Sequence, residues 1–139
     1  MTQTVFSQLT MRTSLCCAIL CACLPLTEAA ETAAEVTVKA AVVHKIAKFV
    51  TWPESAFASA DAPIRFCVAG NGGIFEALHR MGDRPVQGRK VIVRRAPEPA
   101  GVAANCDVLY LTPDAERQAG EWLSMIADEP VLTFGDAGA

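Results

Sequence analysis

Residues 107 to 111 read Asp-Val-Leu-Tyr-Leu, a run of strand length in which nearly every position is apolar. A strand with one face in water alternates apolar and polar residues, whereas a strand covered on both faces is apolar almost throughout. The run therefore predicts a strand with other elements packed above and below it. Coverage of this kind is typical of parallel strands and restricts the chain to a few layered folds.

Three more segments are predicted to be strands, and segments with helical periodicity separate them. Predicted strands cover residues 64–69, 91–93, 107–111 and 131–134, and predicted helices cover residues 35–50, 74–81 and 112–126. Pro97 and Pro99 predict a loop before the third strand. Strands that alternate with helices indicate a layered α/β fold, here a mainly parallel sheet flanked by helices.

The first predicted helix carries one apolar stripe and ends at a proline. Lys45, Lys48 and His44 are assigned to the side opposite the stripe. Pro53 ends the helix, because the residue before a proline is driven out of the helical region. Trp52 is that residue, and we expect its ring to fold back over the helix end. The stripe has helical spacing and comprises Val36, Ala40, Val43, Ala47 and Val50.

Residues 1–29 have the organisation of a secretory signal peptide. Arg12 supplies the positive charge, residues 15–26 form an almost unbroken apolar run, and small residues follow at 27–29. Met11 is the more natural initiator, and the exported chain is expected to begin near Ala30. A transmembrane anchor is the alternative, although the run is shorter than the roughly 20 apolar residues that span a bilayer.

The cysteines indicate an oxidising compartment. Four of the six lie in the predicted leader, so only Cys67 and Cys106 remain after cleavage. Export together with two cysteines favours a structural disulfide, and free thiols are the alternative. Lipidation of Cys23 is a second alternative, but the apolar run before it is short for a lipoprotein signal.

The charge balance argues against a nucleic-acid partner. The chain has 12 Lys plus Arg against 15 Asp plus Glu, a formal net charge of −3. Polyanion binding depends on clustered basic residues that release counterions, and this composition supplies no such field.

The chain contains few residues that could serve catalysis, metal binding or ligand binding. The turn at residues 70–73, Gly-Asn-Gly-Gly, follows a strand where doubly wound folds bind phosphate, but it matches neither phosphate-binding motif, and a structural turn is favoured. His44 and His79 lack metal-ligand spacing and are interpreted as surface residues. Asp107 and Asp114 are interpreted as caps. No nucleophile, base and orienting residue can be named, so the sequence predicts no enzyme, metal or cofactor.

Several segments, taken together, resemble the YfiR-like periplasmic proteins, whose members regulate membrane-bound diguanylate cyclases. They span most of the chain after the leader, and their order and spacing make the resemblance specific. The matching segments are VKAAVVHKIAKFVTWP at residues 38–53, IRFCVAG at 64–70, GRKVIVRR at 88–95, CDVLYL at 106–111 and PVLTFGD at 130–136.

The resemblance implies roles for several of these residues. The family's cysteine pair carries over to Cys67 and Cys106. In the family the first helix and its Trp-Pro end form part of the domain's shell, so packing is the expected role of Trp52. Together with Trp52, Phe49 and Lys39 are candidates for packing or for a partner surface.

The implied function is inhibition by binding: an exported domain contacts the periplasmic part of an inner-membrane diguanylate cyclase and holds it inactive. The alternative is a periplasmic small-ligand binder or enzyme that uses the turn at residues 70–73. The sequence leaves a homodimer open. Family members continue past the segment ending at Asp136 with further strands and a helix, so residues 30–139 are expected to form a single domain that is incomplete at its C-terminus.

Overall fold

The computed structural model describes residues 26–136, with side chains from residue 33 onward. The predicted leader falls mainly on residues 1–25, outside the described residues, and so does Cys23; both interpretations stay predictions. The described residues from 35 to 136 belong to one compact unit, to which the following description refers. In the described part of the chain no helix combines the length and apolarity that crossing a membrane requires.

The elements alternate along the chain as the sequence predicts. The helices are α1 at Leu26–Ala47, α2 at Ile74–Arg80, α3 at Val102–Asn105, α4 at Pro113–Glu116 and α5 at Ala119–Ser124. The strands are β1 at Ile64–Ala69, β2 at Val91–Arg95, β3 at Val108–Leu111 and β4 at Leu132–Gly135.

The strands form one sheet in the order β2-β1-β3-β4, and every neighbouring pair is parallel. The two central strands pair in the register Phe66 to Val108, and β3 pairs with β4 in the register Tyr110 to Phe134. The predicted α/β class with a parallel sheet is confirmed. The apolar run at residues 107–111 supplies a central strand whose four residues are all buried.

Helices cover both faces of the sheet. Alternate side chains of each strand point to opposite sides, and apolar residues lie on both sides. One face packs against α1 and α2, and the other packs against α3, α4 and α5. The first face carries Ile64, Phe66, Val68, Val108 and Tyr110. The second face carries Cys67, Ala69, Leu109 and Leu111 and is joined by Val102, Ala115, Trp122 and Ile126.

Two local predictions on the second face are corrected. The predicted loop after Pro99 contains a 3-10 turn at Pro99–Gly101, whose first position suits proline, and then α3, in which Val102 is fully buried. The predicted helix over residues 112–126 is interrupted at Gln118, whose φ of −113° and ψ of 19° leave the helical region. Trp122 still reaches the core, but Leu123 lies to the side of the apolar stripe and is exposed.

One face of the last strand is partly covered by a helix that precedes it in the chain. Leu132 and Phe134 of β4 pack against the cluster that includes Val43 of α1. A parallel sheet allows earlier helices to cover a later strand, and α1 does so here.

Candidate partner-binding surface

Helix α1 has an apolar stripe that packs on the sheet. Ala40, Val43 and Ala47 are almost completely buried, and Val36 lies partly buried on the same side. These residues recur at the spacing of one helical face, so the predicted stripe is confirmed from Val36 to Ala47. The predicted continuation of the helix to Val50 is wrong, because α1 ends at Ala47.

A second apolar stripe lies on the outer side of the same helix and faces solvent. Val38 is 62% exposed, Val42 47%, Ile46 41% and Phe49 78%. Their spacing of four, four and three residues puts them on one side of the helix and its closing turn, in which the Phe49 N–H donates to the Ile46 carbonyl. We call these four residues the α1 outer surface.

The sequence interpretation missed this surface, although the signal was present. Lys45, Lys48 and His44 indicate a polar side opposite the core, but apolar residues at helical spacing lie between them in the sequence. Phe49 was a candidate for packing or partner contact, and the structure leaves it the most exposed of the large apolar residues described. Its role in binding stays a prediction.

The charges along the α1 outer surface differ between its two ends. At the N-terminal end Lys39 forms ion pairs with Glu35 and Asp136, both at 2.6 Å. These partners, Asp136 first, raise the pKa of the Lys39 ammonium. At the other end Lys45 and Lys48 are exposed and form no ion pair with the described residues. The C-terminal half of the surface is therefore locally basic.

Lys39 also links α1 to the edge strand β4. Asp136, its partner, follows β4 and interacts with the buried Tyr110 hydroxyl. Burial, and then this hydrogen bond, raises the pKa of Tyr110. An open groove of about 390 Å³ lies between the two elements and is lined by Val38, Val42 and Phe134 among others. Lys39, one of the predicted candidates, thus lies at the border of the exposed surface.

Trp52 lies five residues beyond the C-terminal end of α1. Its half-buried ring packs against the core cluster and meets the Phe57 ring edge-on, with centroids 5.7 Å apart. The Arg89 guanidinium lies over the Phe57 ring, 3.9 Å from its centroid. This placement agrees with the expected packing role, while a role in partner binding stays a prediction.

The free carbonyls at the end of α1 are satisfied by a residue distant in sequence. The Gln87 side-chain amide donates to the carbonyls of Ala47, Lys48 and Val50, at 3.2, 3.2 and 2.7 Å. Helix C-termini leave such carbonyls unpaired unless a donor reaches them. Gln87 therefore fixes the geometry of the turn that presents Phe49.

The turn at residues 70–73 directly follows β1. The chain passes from β1 to β2 and from β3 to β4 in opposite directions across the sheet, and doubly wound folds bind ligands at such a position. In this protein the hydrogen-bond donors of the turn are already bound to a carboxylate of the same chain, that of Asp114. Asp114 accepts hydrogen bonds from the Asn71 backbone N–H at 3.1 Å and from the Asn71 side-chain amide at 3.1 Å. Thr112 also donates to Asp114, and this bond, followed by those from Asn71, lowers the pKa of the Asp114 carboxyl.

The turn begins with Gly70 because its backbone conformation and its surroundings require a glycine. Its φ of +85° is a left-handed conformation, and an added Cβ would collide with the Thr112 hydroxyl. The turn is therefore held closed by side chains that follow β3, which is consistent with the structural interpretation. The small-ligand alternative gains no support from this geometry.

Two candidate residues have surroundings that differ from the sequence interpretation. His44 is 4% exposed, its Nε2–H donates to the Arg84 carbonyl at 3.0 Å, and its ring lies beside Phe66. The interpretation of His44 as a surface residue is wrong, because it lies just outside the buried stripe where the sheet and the loop before β2 still cover the helix. His79 is exposed, as predicted.

The buried carboxylate of Asp107, directly before β3, forms an ion pair with the partly buried Arg65. Its carboxylate accepts hydrogen bonds from the Arg65 side chain at 2.8 and 3.0 Å and from the Arg65 backbone N–H at 2.7 Å. The bond to Asp107 raises the pKa of Arg65. Asp107 therefore ties two neighbouring strands together and does not cap a helix, which corrects its interpretation.

The predicted cysteine pair is bonded in the structure. Cys67 of β1 and Cys106, directly before β3, form a disulfide with a Cα–Cα distance of 5.7 Å. Both cysteines are buried on the face that packs against α3 and α5.

The fold and the surface together define a small, disulfide-linked α/β domain whose longest helix presents apolar side chains to solvent. The chain belongs to the YfiR/HmsC-like family, whose model matches residues 36–139. This family is periplasmic and is known in the regulation of diguanylate cyclases. Comparison with curated proteins finds no match.

Proposed function

We propose that this chain is a periplasmic regulatory protein that inhibits an inner-membrane diguanylate cyclase by binding the cyclase's periplasmic part. Membership of the YfiR/HmsC-like family supports a regulatory role in cyclic di-GMP signalling. The leader predicted at residues 1–29 supports export. Inhibition by binding requires a contact surface and no chemistry on a substrate.

The observation that carries this proposal is the α1 outer surface. Single exposed apolar residues are common on protein surfaces, but an aligned row on one helix marks an interaction site. Val38, Val42, Ile46 and Phe49 form such a row on an element held firmly by its other side. A rigid helix with an apolar outer side is well suited to bind a protein partner, because little conformational entropy is lost on association.

Export is tested on the protein itself. We expect the exported chain to begin near Ala30, because small residues at positions 27–29 follow the apolar run. N-terminal sequencing of periplasmic material checks this. A chain that still begins at Met1 or Met11 would show that the leader is not removed.

The binding function is tested by co-purification from the membrane fraction. The exported protein, carrying an affinity tag, is captured from solubilised membranes, and co-purifying proteins are identified by mass spectrometry. We expect a diguanylate cyclase with a periplasmic region, and lower cyclic di-GMP in cells that overproduce the protein. Unchanged cyclic di-GMP, with no cyclase in the captured material, would refute the proposed function.

A further inference from the structure

Three residues of the α1 outer surface and one neighbouring lysine have a spacing that fits contact with another helix, and Ile46 lies beside this row. Val38, Val42 and Phe49, together with Lys45, follow the alternating steps of four, three and four residues that form the seam between two packed helices. The row from residue 38 to residue 49 is about 16 Å long at the rise of an α-helix. A single partner helix of three turns would cover it.

The charges beside this seam favour a partner helix with acidic residues. Lys45 lies within the seam and Lys48 beside it, both exposed and without an ion pair among the described residues. Lys39 at the other end is already paired with Glu35 and Asp136. A partner helix that bears Asp or Glu near Lys45 and Lys48 would therefore gain opposite-charge contacts at one end of the seam.

The same charges disfavour a second copy of this chain. In an antiparallel pair centred on the surface, the two Lys45 side chains would lie about 4.5 Å apart along the axis, given the helical rise. In a parallel pair they would lie directly opposite each other. Like charges at such distances repel, and an apolar seam strengthens the repulsion by excluding water.

We propose that the α1 outer surface binds one amphipathic helix of the cyclase's periplasmic part, with acidic residues of that helix beside Lys45 and Lys48. This inference rests on the proposed function and specifies where and how the partner binds. The apolar residues supply the buried area, and the two lysines set the register and direction of the bound helix.

Site-specific photo-crosslinking identifies the occupant directly. The variant Val42→p-benzoylphenylalanine is irradiated in cells, and the crosslinked peptides are mapped by mass spectrometry. We expect an adduct on a helical segment of the cyclase that carries Asp or Glu at neighbouring positions. Leu123→p-benzoylphenylalanine is the matched control, since Leu123 is similarly exposed (44%) on an element that packs against the opposite face of the sheet; it should give no cyclase adduct.

Charge reversal tests the role of the lysines. We expect the double variant Lys45→Glu/Lys48→Glu to recover at least tenfold less cyclase than the unchanged protein. Lys90→Glu/Arg117→Glu changes net charge by the same amount at exposed positions outside the surface and should recover cyclase normally. Equal urea midpoints for both double variants would show that folding is intact.

The outcomes separate this inference from the proposed function. An adduct between two copies of this chain, an adduct on a cyclase strand or loop, or normal recovery by the Lys45→Glu/Lys48→Glu variant would overturn the helix-binding inference and leave the proposed function standing. Failure of the unchanged protein to recover any cyclase would overturn both.

Discussion

Gln87 shows how one side chain holds a helix end in place. It has a φ of +50°, an uncommon conformation for a residue other than glycine, and this conformation aims its amide at the end of α1. The strained backbone is retained because the side chain satisfies carbonyls that no helical N–H can reach. Sequence patterns assign no role to such a residue, since the bonds span about 40 positions.

We predict that Gln87→Glu lowers the free energy of unfolding by about 1–2 kcal/mol, because a carboxylate cannot donate and would repel the carbonyls of α1. Urea unfolding of the purified protein measures the change. Gln118→Glu is the control, since the Gln118 side chain makes no capping bond at the start of α5, and its midpoint should stay unchanged. Equal midpoints for the two variants would contradict a capping role for Gln87.

Asp114 contributes pH-dependent stability. Hydrogen bonds from Thr112 and Asn71 favour the ionised carboxyl and lower its pKa in the folded chain. A group with a lowered native pKa stabilises the fold above its unfolded pKa, about 3.9 for aspartate, and that contribution is lost as pH falls through the native pKa.

We therefore predict that Asp114→Asn destabilises the protein most near pH 7, and that the difference from the unchanged protein shrinks toward zero as pH falls below about 4. Urea unfolding at a series of pH values measures this difference. Asp128→Asn, at an exposed position, serves as the comparison. A difference for Asp114→Asn that stays constant from pH 7 to pH 3 would count against the charged interaction.

At the scale of elements, the two sides of α1 have different roles: the inner side stabilises the fold, and the outer side is the proposed binding surface. Val43 is 2% exposed and packs on the sheet, whereas its neighbour Val42 is 47% exposed on the outer surface. Both residues are valines of the same helix, so they differ only in what surrounds them. This makes them a matched pair for separating the two roles.

We predict that Val43→Ala lowers the free energy of unfolding by about 1–3 kcal/mol through lost burial and the cavity left behind. Val42→Ala should leave unfolding nearly unchanged, because its methyl groups are largely in water already. It should instead reduce recovery of the cyclase. Urea unfolding and membrane co-purification of both variants supply the two measurements, and similar loss of stability in both would mean that the outer stripe also packs within the protein.

At the scale of the whole molecule, bonds between distant segments connect the central strands. The Cys67–Cys106 disulfide and the Arg65–Asp107 ion pair both join β1 to the start of β3. The disulfide connects residues 39 positions apart. Closing a loop of that length reduces the entropy of the unfolded chain and stabilises the fold by about 4 kcal/mol in the chain-entropy model.

We predict that Cys67→Ala/Cys106→Ala loses about 4 kcal/mol of stability. Each single variant, measured with reductant to keep the remaining thiol free, should lose nearly as much as the double variant, since either change removes the same bond. Urea unfolding gives the values, and mass spectrometry without reductant checks that both thiols are blocked in the unchanged protein. Strictly additive single losses would argue that the cysteines act only by packing.

The sequence by itself determined the class of fold and the positions of the four strands. Apolar runs and helical stripes are local patterns, and the run at residues 107–111 already indicated a strand covered on both faces. The cysteine pair was also predictable, because only Cys67 and Cys106 follow the predicted leader. The stripe on α1 identified the buried side of that helix for the same local reason.

Only the tertiary structure decided what surrounds the individual polar residues. His44 is buried because the sheet and the loop before β2 extend beyond the edge of the stripe, and Asp114 binds Asn71 across 43 positions. Asp107 reaches Arg65 across 42 positions for a similar reason. Such contacts depend on the order of strands in the sheet, and periodicity within a segment carries no information about which distant segment becomes its neighbour.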